Sequence, residues 1–274
     1  MGQLGSGRAT ATHPERNRRR LTQGKEPRWM RARETWGKLE PYFDLIGEAA
    51  LETLWPTRCC LCDRPGNPLC ETCCAKLPYI DQLWSCPKCG AAFGKLICTE
   101  CNHYTLSRKG FDEFPLDGCR SCARATADVL KIVSTYKDKG DQALADTLAE
   151  MLSWSLPAAW HDFFLVPIPA RPAALKRRGF DHIGLVAQKL ARETGMHRQN
   201  LLAGNNGLDQ RTLGAASRAE NARGAFGLRN PKAPPKNVVL VDDVMTTGST
   251  LTAAADTLKA AGVQTVVALT FARV

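Results

Sequence analysis

The stretch that most constrains this chain is VVLVDDVMTTGST, residues 238–250. Its first four residues are apolar and have the pattern of a short buried strand, which halts at Asp242 and Asp243. A turn of small residues follows: Thr246, Thr247, Gly248, Ser249 and Thr250. Beyond it Leu251, Ala254, Ala255, Leu258 and Ala261 recur at helical spacing. Strand, acidic pair, turn and helix make one βα unit with a concave tip. Successive backbone N–H groups and the positive end of a helix dipole suit that tip to a phosphate, with the hydroxyls as further donors. Two carboxylates would repel the same phosphate, so Asp242 and Asp243 suit sugar hydroxyls or a Mg2+ ion instead. The turn has no lysine and the chain has no GxxxxGK[ST], which excludes a Walker A loop.

The remainder of the C-terminal half alternates in the same way. Residues 129–140 read as a helix, and Leu144, Leu148, Met151 and Leu152 mark another. Residues 163–169 read as a strand, 183–195 as a helix, 237–243 as a strand, 251–262 as a helix and 264–272 as a closing strand. Strands alternating with helices predict an α/β fold, with a mostly parallel sheet flanked by helices. After the strand at 163–169 the pattern predicts a loop and then three cations, Lys176, Arg177 and Arg178. At the tip of a parallel sheet these suit an anion such as pyrophosphate or a nucleic-acid backbone.

Charge is unevenly placed. Residues 1–38 hold ten basic and three acidic side chains, a net +7 of the chain's +10, so the folded portion is only mildly basic. This arm has no hydrophobic period and reads as disordered, either a nucleic-acid tether or a start-site artefact. Leu39, Phe43, Ile46, Ala50 and Leu54 then follow at steps of three or four, which predicts an amphipathic helix. No stretch approaches the roughly 18 apolar residues of a membrane-spanning helix, and the N-terminus lacks a signal peptide's apolar core. The expectation is a cytoplasmic protein without membrane insertion.

Twelve cysteines in such a chain argue for metal or free thiols over disulfides. Five CxxC pairs occur, and two residues between cysteines let a knuckle aim both thiolates at one tetrahedral ion. The short spacing predicts one structural zinc on Cys59, Cys62, Cys70 and Cys73, and a second on Cys86, Cys89, Cys98 and Cys101. Gly90 falls where a knuckle needs a left-handed residue. Cys60 and Cys74 sit beside ligands without being ligands. The fifth pair, Cys119 and Cys122, reads either as a strand with buried thiols or as the partner of Cys86 and Cys89 across a long loop. The resulting organisation is an arm over 1–38, an amphipathic helix and zinc module over 39–115, and the α/β domain over 116–274.

The 238–250 run resembles the phosphoribosyl pyrophosphate (PRPP) motif of type I phosphoribosyltransferases, an apolar strand ending in two acids before a TTGST-like loop. That resemblance implies ribose hydroxyls on Asp242 and Asp243, and a 5′-phosphate on Thr246, Thr247, Gly248, Ser249 and Thr250. Further motifs stand in a fixed order: the CxxC pairs with CPKCG, YKDKG at 136–140, VPIP then KRRGF within 166–180, and Gln210, Leu213, Arg218, Asn221, Gly224 and Phe226. Together they resemble the ComF (GntX-like) family of bacterial competence proteins over residues 55–274. The resemblance implies Mg2+-dependent transfer from PRPP, with Arg178 on pyrophosphate and Arg211 and Arg218 on a mobile loop. It also implies a role in natural transformation, with single-stranded DNA and a DNA-uptake helicase as partners. Trp84, Phe93 and Tyr104 near the module are placed to stack bases. One departure stands out: the family commonly reads RGFNQ where residues 178–182 read RGFDH, a carboxylate in place of an amide.

Overall fold

In the computed structural model, the described residues are 56–108, 113–204, 225–229 and 234–274. The basic arm, the expected amphipathic helix and the expected loop residues Gln210, Arg211, Leu213, Arg218, Asn221 and Gly224 lie outside them. Residues 57–274 form one compact unit.

The core is a four-stranded, wholly parallel sheet. In chain order its strands are β1 (Gly118–Arg124), β2 (Phe164–Pro167), β5 (Asn237–Met245) and β6 (Thr265–Arg273), and they lie side by side as β1-β6-β5-β2. A short antiparallel pair, β3 (Leu202–Gly204) and β4 (Phe226–Leu228), stands apart from it. Among the described residues seven α-helices accompany these: α1 (Glu71–Cys74), α2 (His103–Arg108), α3 (Ala127–Lys137), α4 (Leu144–Ser155), α5 (Pro172–Arg178), α6 (His182–Thr194) and α7 (Ser249–Ala260).

The apolar runs in the strands follow from burial on both faces. Val239 and Val241 of β5 point into a core shared with α3, α4 and α6, whereas Val238 and Leu240 point into a second core beneath α7. This is the period-two alternation of a strand, made continuously apolar because neither face meets water. Residues 197–199 run along the outer side of β2, where Leu165 N–H donates to His197 O and Gln199 N–H donates to Leu165 O. The chain therefore leaves β2 outward through α6 on one face, and leaves β5 in the opposite direction through α7 on the other. The switch point lies between β2 and β5, and ligands of such sheets bind at the carboxyl ends of strands flanking it.

Two local readings are corrected. β5 does not halt at the acids; it stays paired with β6 through Met245, opposite Arg273. The loop expected before Lys176 is the helix α5, with Pro172 in its first turn and left-handed Gly179 (φ 78°) closing it. Proline at the start and glycine past the end are the normal boundaries of a short helix.

Candidate functional site

The tip of β5 carries the acidic pair, and the chain immediately turns into α7. Gly248 is the pivot, with φ 79° and a buried position, and its carbonyl accepts the N–H of Thr252 at 2.9 Å. Around it Thr246, Thr247, Ser249 and Thr250 are exposed, so four hydroxyls surround the N-terminus of a 12-residue helix. Thr247 Oγ1 lies 3.1 Å from Ser249 Oγ and accepts the Ser249 N–H at 3.4 Å. The structure thus brings Thr246, Thr247, Gly248, Ser249 and Thr250 into one rim. Donors converge there at the positive end of a helix dipole.

Beside the rim, three segments far apart in sequence meet. Lys137 at the end of α3 donates to Asp243 Oδ2 at 2.5 Å, and His182 Nε2 faces the same oxygen at 3.4 Å. Arg178 at the end of α5 reaches His182 Nδ1 at 3.4 Å and Asp138 Oδ1 at 3.6 Å. A guanidinium only donates, so His182 Nδ1 must accept, which leaves its proton on Nε2, facing Asp243. Tyr136 fixes the corner: its hydroxyl donates to the His182 carbonyl, and Phe180 packs edge-on against its ring at 5.7 Å between centroids. Asp181 caps α6 through Gly184 N–H at 3.0 Å, which gives the carboxylate of the RGFDH departure a structural partner.

These contacts divide the two acids. Burial raises the Asp243 carboxyl, but the His182 hydrogen bond and the Lys137 charge outweigh it and hold it well below the usual carboxylate range. Asp242 is pushed well above that range, by burial first and then by the charge of Asp243. Its Oδ1 accepts the Asp243 N–H at 2.9 Å. The surroundings thus favour the anion at Asp243 and the protonated form at Asp242.

The expected cation cluster splits. Arg178 turns inward with 10% of its side chain exposed, while Lys176 and Arg177 face solvent. Lys137 and His182 were not expected at the site, although both lie in segments singled out in the sequence, YKDKG and RGFDH. Only the fold brings Lys137 to Asp243, across 106 positions of chain.

The cysteines assemble as the short spacing predicts. Sulfurs of Cys59, Cys62, Cys70 and Cys73 lie within 4.8 Å of one another, and so do those of Cys86, Cys89, Cys98 and Cys101. The Cys62–Cys70 separation is 3.7 Å, and Cys86–Cys101 and Cys89–Cys98 are both 3.6 Å. An ion bonded tetrahedrally to four sulfurs at about 2.3 Å needs sulfur–sulfur edges of about 3.8 Å, so both clusters fit zinc. Both first knuckles close alike: Asp63 N–H donates to Cys59 O and Gly90 N–H to Cys86 O, with Asp63 (φ 62°) and Gly90 (φ 70°) left-handed. At Cys59 burial raises the thiol, but N–H groups of Cys70, Cys62 and Leu61 outweigh it and bring it to about 6, readied as a thiolate. Cys119 and Cys122 are fully buried in β1 and join neither cluster, which settles the open alternative in favour of buried thiols.

Residues 173–274 match the phosphoribosyl transferase domain. The chain is 27% identical over 191 residues to competence protein ComFC of Bacillus subtilis, spanning 69% of this chain and 76% of that one. It is 35% identical over 104 residues to competence protein F of Haemophilus influenzae, 36% of this chain and 45% of that one. Competence protein ComFC of Streptococcus pneumoniae is 24% identical over 200 residues, 72% of this chain and 84% of that one. Domain match, relatives and the paired cysteine clusters agree with one another: the chain carries a phosphoribosyl transferase domain over residues 173–274 and is similar to the ComF family of competence proteins.

Proposed function

We propose that the carboxyl end of β5 binds PRPP with Mg2+ and that the protein acts in natural transformation, as its relatives' names suggest. The observation that carries the first part is the exposed hydroxyl rim at the α7 N-terminus standing beside a half-buried acidic pair. In this reading the rim holds the 5′-phosphate, Asp242 and Asp243 accept the ribose hydroxyls, and Arg178 meets pyrophosphate. Lys137 and His182 hold Asp243 as an anion in one orientation. All-oxygen donors of this kind suit Mg2+, whose contribution would be to neutralise charge on departing pyrophosphate. Catalysis of phosphoribosyl transfer would then rest on positioning and electrostatics, which need no covalent chemistry from the protein. The zinc clusters are structural in this reading, since four sulfurs leave no open position.

Calorimetry with PRPP and Mg2+ tests it. Asp242→Asn combined with Asp243→Asn is expected to weaken binding at least tenfold, about 1.4 kcal/mol. Unchanged affinity in that variant would sink the assignment.

A second reading, a single-stranded-DNA-binding protein that uses the same site as a nucleotide sensor, draws on the second cysteine cluster. Trp84, Phe93 and Tyr104 around it are 58%, 80% and 70% exposed, as base-stacking platforms need to be. Retention of single-stranded DNA that falls steeply with salt, and falls again in Trp84→Ala with Phe93→Ala, is the result expected. No retention at low salt would remove it.

A further inference from the structure

The residue that fixes the phosphate rim from behind is Arg273, the last residue of β6. Its Nη1 donates to Thr246 O at 3.0 Å and reaches Met245 O at 3.5 Å, so it grips the chain where strand becomes rim. Only 7% of it is exposed. A guanidinium so far from water needs a carboxylate, and Nη2 finds one in Glu100. Glu100 belongs to the second cysteine cluster, lying between Cys98 and Cys101. A small cavity separates cluster and rim, lined by Cys89, Glu100, Phe114, Thr247, Thr252 and Arg273.

This chain of contacts has a direction. An ion held by Cys98 and Cys101 fixes the two-residue bridge between them, and with it the place from which Glu100 leaves the backbone. Glu100 fixes the fork of Arg273, and the fork fixes the Thr246 carbonyl. Without the carboxylate the guanidinium is buried and unpaired, and its relief is to turn toward solvent, releasing Thr246. We propose that Arg273 is the positioning residue of the 246–250 rim and that Glu100 carries the metal state of the second cysteine cluster to it. Ligand at the rim and metal in the cluster then favour each other by the same factor. The statement about ligand rests on the phosphate reading of the rim; the statement about rim order does not.

Glu100→Gln in the full, zinc-loaded chain is the decisive variant, because Glu100 is partly exposed and lies outside the strands and helices of the described residues. Hydrogen exchange across residues 245–252 is expected to rise about fivefold or more, with residues 182–194 and zinc content unchanged. Stripping the zinc with a chelator is expected to raise exchange of residues 245–252 relative to residues 182–194 in the natural chain, and to leave that ratio unchanged in Glu100→Gln. Arg273→Lys, which keeps the charge and loses the fork, is expected to behave as Glu100→Gln does. Wild-type exchange over 245–252 in Glu100→Gln overturns the proposal whatever the ligand data show. In a parallel arm PRPP is expected to slow zinc transfer from the natural chain to the chelator, an effect lost in Glu100→Gln. If PRPP does not bind the natural chain but the exchange difference stands, the phosphate reading fails and the coupling survives. If PRPP binds and slows zinc transfer equally in both proteins, the coupling fails and the site survives.

Discussion

Asp242 and Asp243 are neighbours in one strand, and their surroundings drive them to opposite protonation states. Asp243 is depressed by His182 and Lys137 against the pull of burial, so its ionisation stabilises the fold at pH above the ordinary value of 3.8 and that stability is lost as pH falls. Lys137→Ala is therefore expected to lower stability by about 1–2 kcal/mol near neutrality. That is less than the loss of a fully buried pair, because 27% of the Lys137 side chain reaches solvent. The deficit should hold above about pH 5 and shrink as pH drops below 3.8, which urea titrations at several pH values will show. A deficit that stays constant down to acid pH would mean that Lys137 acts by packing alone. Asp242 is raised by burial and by Asp243, so it is protonated where an ordinary carboxylate is not. A ribose hydroxyl donates more strongly to the ionised carboxylate than to the neutral acid, so a bound ribose favours loss of that proton. PRPP binding near pH 7 is expected to release up to one proton, seen as a binding enthalpy that changes with the ionisation enthalpy of the buffer. The same enthalpy in all buffers would show that Asp242 keeps its proton when the ligand binds.

At the scale of elements, β5 and α7 were legible because everything they need is contiguous: an apolar run, two acids, a glycine and a helical period. The end of β5 is not marked in the sequence, because pairing with β6 outlasts the apolar pattern by four residues, through Met245 opposite Arg273. Helix α5 is hidden in the sequence despite its proline and glycine boundaries, since seven residues give too short a period to recognise. Lys137, His182 and the Glu100–Arg273 pair were beyond the sequence for a different reason. Each contact closes between separate elements, and no local pattern encodes which helix end meets which strand end. The glycine at the turn is the most testable element-level claim. Gly248 needs φ 79°, and an added Cβ would stand 3.0 Å from Met245 Cε, a flexible methyl. Gly248→Ala is expected to cost about 1–2 kcal/mol from the left-handed backbone and to weaken PRPP binding by disturbing the rim. Gly140 has φ 78° with nothing within 4 Å of the same position, so Gly140→Ala carries the backbone cost alone and serves as the control. Equal affinity losses in the two variants would show that the rim is insensitive to its pivot.

At the scale of the whole molecule, the question is whether the cysteine module folds independently or as part of the α/β core. The sequence suggested a boundary near residue 115, and the contacts across it are extensive. Cys59, Leu69, Cys70 and Leu77 lie in the same apolar core as Ile132, Leu148, Val239 and Phe271. Backbone bonds join the parts as well: Ile80 N–H donates to Cys122 O at 2.9 Å and Arg124 N–H to Pro78 O at 3.0 Å. The first cluster thus shares its packing with the helices behind the sheet, and the second touches the rim through Glu100. Because a metal that binds only the folded state adds its binding energy to stability, zinc should stabilise both parts together. The expected metal content is about two zinc ions per chain, with one cooperative thermal transition that moves to lower temperature as a whole when zinc is removed. Cys59→Ser is expected to shift the same single transition and to lower the yield of folded protein, since it leaves three thiolates and opens a core residue to change. Two separate transitions, of which only the lower responds to zinc while the upper retains PRPP binding, would instead make residues 116–274 an autonomous domain. One cooperative transition would make the zinc clusters part of the structure that holds Lys137 and Arg273 in place at the site.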